Sequence, residues 1–252
     1  LISLSEQLQQ AHQTRISFFT AISHEFRTPL TLIIAPLRDL VTNLEETTPA
    51  ELRRKFKIIY GSASRLLTLV NQLLDFRKAD SGKMDLHLSR FELVPFVRQV
   101  ALLFHDIARR NKISFTFICV KDPGEVTCDS EKVEIILLNL LSNAFKFTPR
   151  GGEISVEVSR SGAEEEHALL QVSDSGPGIP EEDLSLIFDT FSQSGGAAFR
   201  HFHGSGIGLS LVKQYAELHG GSVSATTRTG GGSLFSVSLP LQPPASGSVA
   251  PL

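Results

Sequence analysis

Four short stretches of this 252-residue chain carry side chains whose types and spacing suit chemistry. The first is Phe18-Phe19-Thr20-Ala21-Ile22-Ser23-His24-Glu25-Phe26-Arg27-Thr28-Pro29-Leu30. A neutral imidazole, with an ordinary pKa near ~6.5, is a nucleophile at neutral pH. A neighbouring carboxylate such as Glu25 can hold one ring N–H of His24 and free the other nitrogen to attack. The second is Asn139, Asn143 and Lys146, at steps of four and three and so on one helix face. Two carboxamides and an ammonium supply oxygen ligands and a fixed charge, which suits Mg2+ with a polyphosphate. A polar solvent face is the alternative. The third is Asp174-Ser175-Gly176-Pro177-Gly178-Ile179-Pro180, after a strand-like run. Its glycines let backbone approach a flat ring, and its aspartate can accept a hydrogen bond from an exocyclic amine. A plain Gly-Pro turn is the alternative. The fourth is Gly204-Ser205-Gly206-Ile207-Gly208-Leu209, opening a helix, where backbone N–H groups can meet an anion. Its spacing is neither the dinucleotide fingerprint nor a Walker A loop.

The elements that must position these groups follow from hydrophobic period. Ile16, Phe19, Ser23, Phe26, Leu30, Ile33, Leu37, Leu40 and Leu44 alternate steps of three and four, the seam of one long helix over residues 1 to about 45. His24 falls one step off that seam. Pro29 removes its own N–H, so the Glu25 carbonyl loses a helix partner and a bend is expected there. A second helix starts near Pro49, with a seam of Leu52, Phe56, Ile59, Ala63, Leu66, Val70 and Leu73. Two helices joined by a short link make an antiparallel hairpin. One hairpin cannot cover both stripes, so the patterning predicts a homodimer with a four-helix bundle. Ala79 to Lys83 reads as a hinge.

Beyond the hinge the period changes. Helices are expected over Leu93–Arg110, from a Ser130 cap to Phe147, over Glu181–Phe188 and over Gly206–His219. Strands are expected over Ile113–Val120, Ile154–Ser159, Leu169–Ser173, Ser222–Thr227 and Leu234–Leu239. The order implies an α+β chain, the hairpin followed by an α/β sandwich with three helices on one sheet face. The domains read as 1–80 hairpin, 81–90 linker, 91–241 sheet domain and 242–252 tail.

Composition narrows the function classes. A net charge of −3 argues against a nucleic-acid surface. Two cysteines, Cys119 and Cys128, show no metal-ligand spacing and fit a reducing compartment; Cys119, in an apolar run, is expected to be buried. No apolar run approaches the ~20 residues of a membrane span, and no signal peptide is visible. The chain starts at Leu1 and reads as a piece of something longer.

His24 to Leu30 resembles the H-box of sensor histidine kinases. Asn139 to Phe147 resembles their N-box, Asp174 to Ile179 the G1 box, Phe188 to Phe191 the F-box and Gly204 to Leu209 the G2 box, all in family order. The resemblance covers residues 1 to about 241. The wording around the H-box is similar to membrane-tethered hybrid kinases of gut Bacteroides-type bacteria.

The resemblance implies a dimerisation and phosphotransfer hairpin and a Bergerat-type ATP-binding domain. It makes His24 the phospho-acceptor, Glu25 the general base and Thr28 the residue that orients water in phosphatase chemistry. Asn143 would ligate Mg2+, Asn139 would support metal and phosphates, and Lys146 would meet phosphate oxygens. Asp174 would bind the adenine amine, and Gly176, Gly178 and Ile179 would shape its pocket. Phe147, Phe188 and Phe191 would flank the nucleotide, and Gly204, Ser205, Gly206, Ile207, Gly208 and Leu209 would form the phosphate lid. The implied substrate and cofactor are ATP and Mg2+. The implied partners are a second copy and a response-regulator receiver, separate or fused, with no nucleic acid and membrane contact only through missing upstream segments. The expected location is the cytoplasmic portion of an inner-membrane sensor. Phe147 stands where Tyr is common and Thr190 where Arg is; Arg200, His201 and His203 are the nearby donors for the γ-phosphate. The alternatives are a clamp-type ATPase, a nucleotide-binding scaffold and a mainly phosphatase-acting kinase.

Overall fold

The computed structural model describes residues 2–43, 47–80, 85–161, 166–189, 207–228 and 230–242. They form two compact units, a helical hairpin and a sheet domain.

The hairpin is α1 (Ile2–Asn43) and α2 (Pro49–Asp80). α1 carries Pro29 and Pro36 without ending. α2 begins with a reciprocal cap. The Glu51 N–H donates to Thr48 Oγ1 at 3.3 Å, while the Thr48 N–H and hydroxyl donate to Glu51 Oε2 at 3.0 and 2.9 Å. Pro49 then takes the first helical position, where a missing N–H costs nothing. Lys55 pairs with Asp39 and Arg65 with Glu25, which fixes the two helices as antiparallel. Leu40 and Leu69 are buried, but seam residues Leu30, Leu37 and Phe56 stay 41%, 41% and 54% exposed.

The sheet domain opens with β1 (Ser89–Glu92), α3 (Leu93–Leu102), α4 (His105–Asn111), β2 (Ser114–Cys119), β3 (Glu125–Cys128) and α5 (Ser130–Phe147). It continues with β4 (Glu153–Ser161), β5 (His167–Asp174), α6 (Gly208–Leu218), β6 (Ser222–Thr227) and β7 (Ser233–Pro240). Five strands make one sheet in the order β2-β4-β5-β7-β6; β2 runs parallel to β4 and the remaining pairs are antiparallel. β1 and β3 form a separate antiparallel ribbon. Strict alternation puts Ala168, Leu170 and Val172 of β5 into the core beside Val156 and Val158 of β4 and Phe235, Val237 and Leu239 of β7. Leu137, Leu140 and Leu141 of α5 and Leu211 and Tyr215 of α6 close the core, each at 0% exposure.

Four expectations need correction. Leu93–Arg110 is two helices, not one. The Leu103 and Phe104 N–H groups donate three residues back, to Val100 and Ala101, and the Phe104 ring stacks on Phe145 at 5.2 Å. Tertiary packing overrides the period there. Residues 181–188 are a run of turns, with bonds such as Asp183 N–H to the Pro180 carbonyl and Leu186 N–H to the Asp183 carbonyl, not a helix. The cap of α5 is Asp129, whose Oδ1 accepts from the Lys132 N–H at 3.2 Å; Ser130 is the first helical residue. Cys119 is exposed at the end of edge strand β2, and Cys128 is the buried thiol, pushed up to about 11 by burial first and the Asp129 charge second. The ribbon of β1 and β3 escapes sequence reading because each strand has only four residues. Of the 79–83 hinge only Ala79 and Asp80 are described, at the end of α2; residues 243–252 lie outside the described residues.

His219 follows α6 and is buried. Its ring accepts the Asp129 N–H at Nε2, 3.0 Å away, and its Nδ1 lies 2.6 Å from the Tyr215 carbonyl. Burial holds its pKa down, opposed by the Tyr215 carbonyl and the Asp129 charge. The unfolded chain therefore takes up a proton near pH ~6.5 that the folded one resists. Domain stability is expected to fall as pH drops below that value, and His219→Gln to remove that part of the slope. Denaturant unfolding of both proteins at pH 7.5 and 5.5 checks this.

Candidate functional site

Alternation on β5 does not stop at Val172. It carries Asp174 onto the same buried face, and on the neighbouring strand Ser233 continues the face of Phe235 and Val237. A carboxylate thus ends an apolar stripe at the rim of the core, 3% exposed. Its Oδ1 accepts the Gly176 N–H at 2.7 Å, and Ser233 donates to it through both backbone and hydroxyl. Burial raises the Asp174 pKa above the ordinary carboxylate range; the Gly176 and Ser233 hydrogen bonds and the charge of Arg228 oppose the rise.

Backbone closes tightly around this carboxylate. A Cβ on Gly176 would stand 2.7 Å from Asp174 Oδ1 and 3.0 Å from the Phe147 carbonyl oxygen. Gly178 has φ +79°, and a Cβ there would stand 2.9 Å from Thr227 Cγ2. Thr227 accepts the Ile179 N–H at 3.3 Å and donates its hydroxyl to the Ile179 carbonyl. Gly232 has φ +95°, and a Cβ there would collide with the Asp174 carbonyl oxygen. Arg228 donates to that same carbonyl at 3.3 Å. Sequence reading missed Thr227, Arg228, Gly232 and Ser233. The run Thr229-Gly230-Gly231-Gly232-Ser233, between two strands, was the signal for a backbone–backbone approach.

The polar face of α5 lies next to this rim. Asn139, Asn143, Lys146 and Phe147 are all half-buried. Asn139 Nδ2 donates to the Ile135 carbonyl at 2.8 Å, which turns its Oδ1 toward Gly208. A Cβ on Gly208 would stand 2.6 Å from that oxygen, so glycine is what lets α6 start against α5. Lys146 Nζ lies 4.9 Å from the Phe147 ring centroid. Phe188 meets Phe235 edge-on at 6.4 Å. Asn139 with Gly208, and Phe147 with Gly176, bring three of the sequence boxes to one place. Ile207 and Leu209 are described, whereas Phe191, Gly204, Ser205, Gly206, Thr190, Arg200, His201 and His203 lie outside the described residues.

On the hairpin, His24 sits within α1, with its side-chain surroundings outside the description. Glu25 is half-buried and reaches Arg65 Nη2 on α2 at 3.4 Å. Thr28, one turn on, is exposed. Arg65 is a further residue that sequence reading passed over.

Residues 14–82 match the His Kinase A (phospho-acceptor) domain, and residues 128–243 match the histidine kinase-, DNA gyrase B- and HSP90-like ATPase family. The chain is 42% identical, over 99% of its length, to the sensor histidine kinase TmoS of Ectopseudomonas mendocina. It is 37% identical, over 96% of its length, to the hybrid signal transduction histidine kinase D of Dictyostelium discoideum. It spans 25% and 16% of those two proteins. Among solved structures, full-length ShkA in complex with AMPPNP matches 90% of this chain and 46% of that one, at 28% identity and a TM-score of 0.65. The histidine kinase ThkA in complex with the response regulator TrrA matches 96% of this chain and 67% of that one, at 25% identity and a TM-score of 0.63.

Gly232→Ala forces a side chain onto positive φ and onto the Asp174 carbonyl. It is expected to cost at least about 1–3 kcal/mol of domain stability, read by denaturant unfolding, whereas Gly230→Ala, which meets no atom within 4 Å, should cost less.

Proposed function

The chain belongs to the sensor histidine kinases, and we propose on that premise that it moves the γ-phosphate of ATP to His24 and then to an aspartate of a response-regulator receiver. The observation that carries this is one chain matching both halves of the reaction, the phospho-acceptor domain across His24 and the ATPase family across Asn139, Asp174 and Gly208.

Each residue has a task that its chemistry allows. Asp174, steered by Gly176 and Ser233, accepts a hydrogen bond from the adenine amine. Gly176 and Gly178 keep side chains off the ring. Lys146 leaves the Phe147 ring to meet phosphate oxygens. Mg2+ fits the donor set, since Asn139 has its amide nitrogen occupied and its oxygen free of that bond, and Asn143 adds a second carboxamide one turn on. Asn143 and Asn139 would hold the ion, which supplies charge neutralisation to the phosphates. At His24 a ring nitrogen attacks the γ-phosphorus. An N–P bond forms, the P–O bond to ADP breaks, and Glu25 takes the proton from the other ring nitrogen. Arg65 holds Glu25 beside the acceptor in the meantime. Thr28, exposed one turn along, is placed to orient water for the reverse, phosphatase, activity.

The half-exposed seam of Leu30, Leu37 and Phe56 supports a homodimer through a four-helix bundle. The names of its relatives support a receiver partner, in trans as in the ThkA–TrrA complex or on the same polypeptide as in a hybrid kinase. The use of ATP and the family's signalling role support a cytoplasmic position within an inner-membrane sensor; protease accessibility of the tagged full-length protein in spheroplasts tests it. A clamp-type ATPase shares the ATPase family but gives no role to a His24–Glu25 pair on a hairpin.

Incubation with γ-labelled ATP and Mg2+ should give acid-labile, base-stable label on the protein. His24→Gln and Asn143→Ala should abolish it, and Glu25→Gln should slow it by roughly 10²-fold or more. Label persisting in His24→Gln contradicts the assignment. Phe56→Glu should shift sedimentation from dimer toward monomer.

A further inference from the structure

Asp129 and His219 take no part in the chemistry above, yet they are 1% and 3% exposed. Asp129 joins three chain segments. Its Oδ1 caps α5 through the Lys132 N–H, 3.2 Å away. Its own N–H donates to His219 Nε2 at the end of α6, 3.0 Å away. Its Oδ2 accepts the backbone N–H of His87, 2.9 Å away, in the segment by which the chain enters the sheet domain. A cap alone needs one acceptor, and Ser, Thr or Asn serve as well as Asp. Two carboxylate oxygens, each filled by an amide from a different segment, give two separately placed acceptors, where Ser, Thr or Asn offers one oxygen. A buried carboxylate also costs desolvation unless hydrogen-bonded, so charge at a mere cap position would be a poor choice.

The same junction braces the nucleotide-site helices. α6 meets α5 at Gly208 against Asn139 and at His219 against Asp129. These contacts lie ten residues apart on α5 and eleven on α6, roughly 15 Å on each at ~1.5 Å per residue. The two helices are thus pinned at both ends, and the entering segment is fastened to the pin farther from Lys146.

We propose that Asp129 is a positioning residue for phosphotransfer, clipping the entering segment at His87 to the α5–α6 junction and so fixing where the sheet domain is tethered to the hairpin. The proposal rests on the kinase reading. Without the clip the next described residue with strand pairing is Ser89, opposite Cys128 in the β1–β3 ribbon. Two more free residues add up to ~7 Å of reach and lower the effective concentration of bound ATP at His24.

Asp129→Asn and Asp129→Ser in the full chain test this, because both are sound caps and neither presents two separate acceptor oxygens. Three quantities are read: exchange protection of the His87 amide, ADP affinity, and the rate of His24 labelling at saturating ATP. The expected result is loss of His87 protection by about tenfold or more, ADP affinity within about twofold, and labelling slower by about 1.5-fold or more. Wild-type labelling rates once His87 has lost its protection overturn the proposal. So does loss of ADP binding in step with labelling, which would make Asp129 a determinant of the site's fold instead. A wild-type chain that takes no label fails the kinase reading itself, before any variant is compared.

Discussion

The structure of the nucleotide site depends on a carboxylate placed where an apolar strand face runs out. β5 alternates without a slip from Ala168 to Val172, and the next inward position is Asp174. Period-two geometry alone would bury it unsatisfied, which costs too much to leave uncompensated. The surrounding chain is arranged to satisfy it: Gly176 turns an N–H onto Oδ1, Ser233 comes across from β7, and Gly232 lets that backbone come close. What remains is a buried, directed acceptor whose ionisation is opposed by burial and supported by its partners. Such a group is a preorganised hydrogen-bond acceptor whose desolvation cost the protein has already met.

The second constraint lies in the hairpin, a unit separate from the sheet domain. His24 belongs to a hairpin in which, among the described residues, Leu40 and Leu69 are buried while the seam residues Leu30, Leu37 and Phe56 stay exposed. Ion pairs at two levels, Lys55 with Asp39 and Arg65 with Glu25, set the register of α1 against α2. Exposed pairs of this kind contribute little stability. The Arg65 pair matters more for direction, since it fixes where the Glu25 carboxylate points. The two units then carry different family signatures, the hairpin that of the phospho-acceptor domain and the sheet domain that of the ATPase family.

Legibility in the sequence followed the range of the forces involved. Periodicity identified α1, α2, α5 and the five sheet strands, because each carries a regular stripe or alternation of apolar residues. It failed where one contact decides the local geometry. The Phe104–Phe145 stack divides the helix expected over 93–110, and tight turns replace the helix expected over 181–188. Asn139, Asn143, Asp174, Gly176 and Gly208 were legible as motif residues, and their convergence is seen in the packing of Gly208 on Asn139 and Gly176 on Phe147. Ser233, Thr227, Arg228 and Arg65 were not legible, since each acts through a partner distant in sequence and has no signature of its own.

Phosphorus NMR of the intact chain after incubation with ATP and Mg2+ tests the central claim most directly. The account predicts a phosphoramidate resonance on the protein, absent in His24→Gln and lost on acidification. Release of inorganic phosphate at a steady rate with no protein-bound resonance would contradict it, and would make the chain an ATPase that shares the site but not the acceptor.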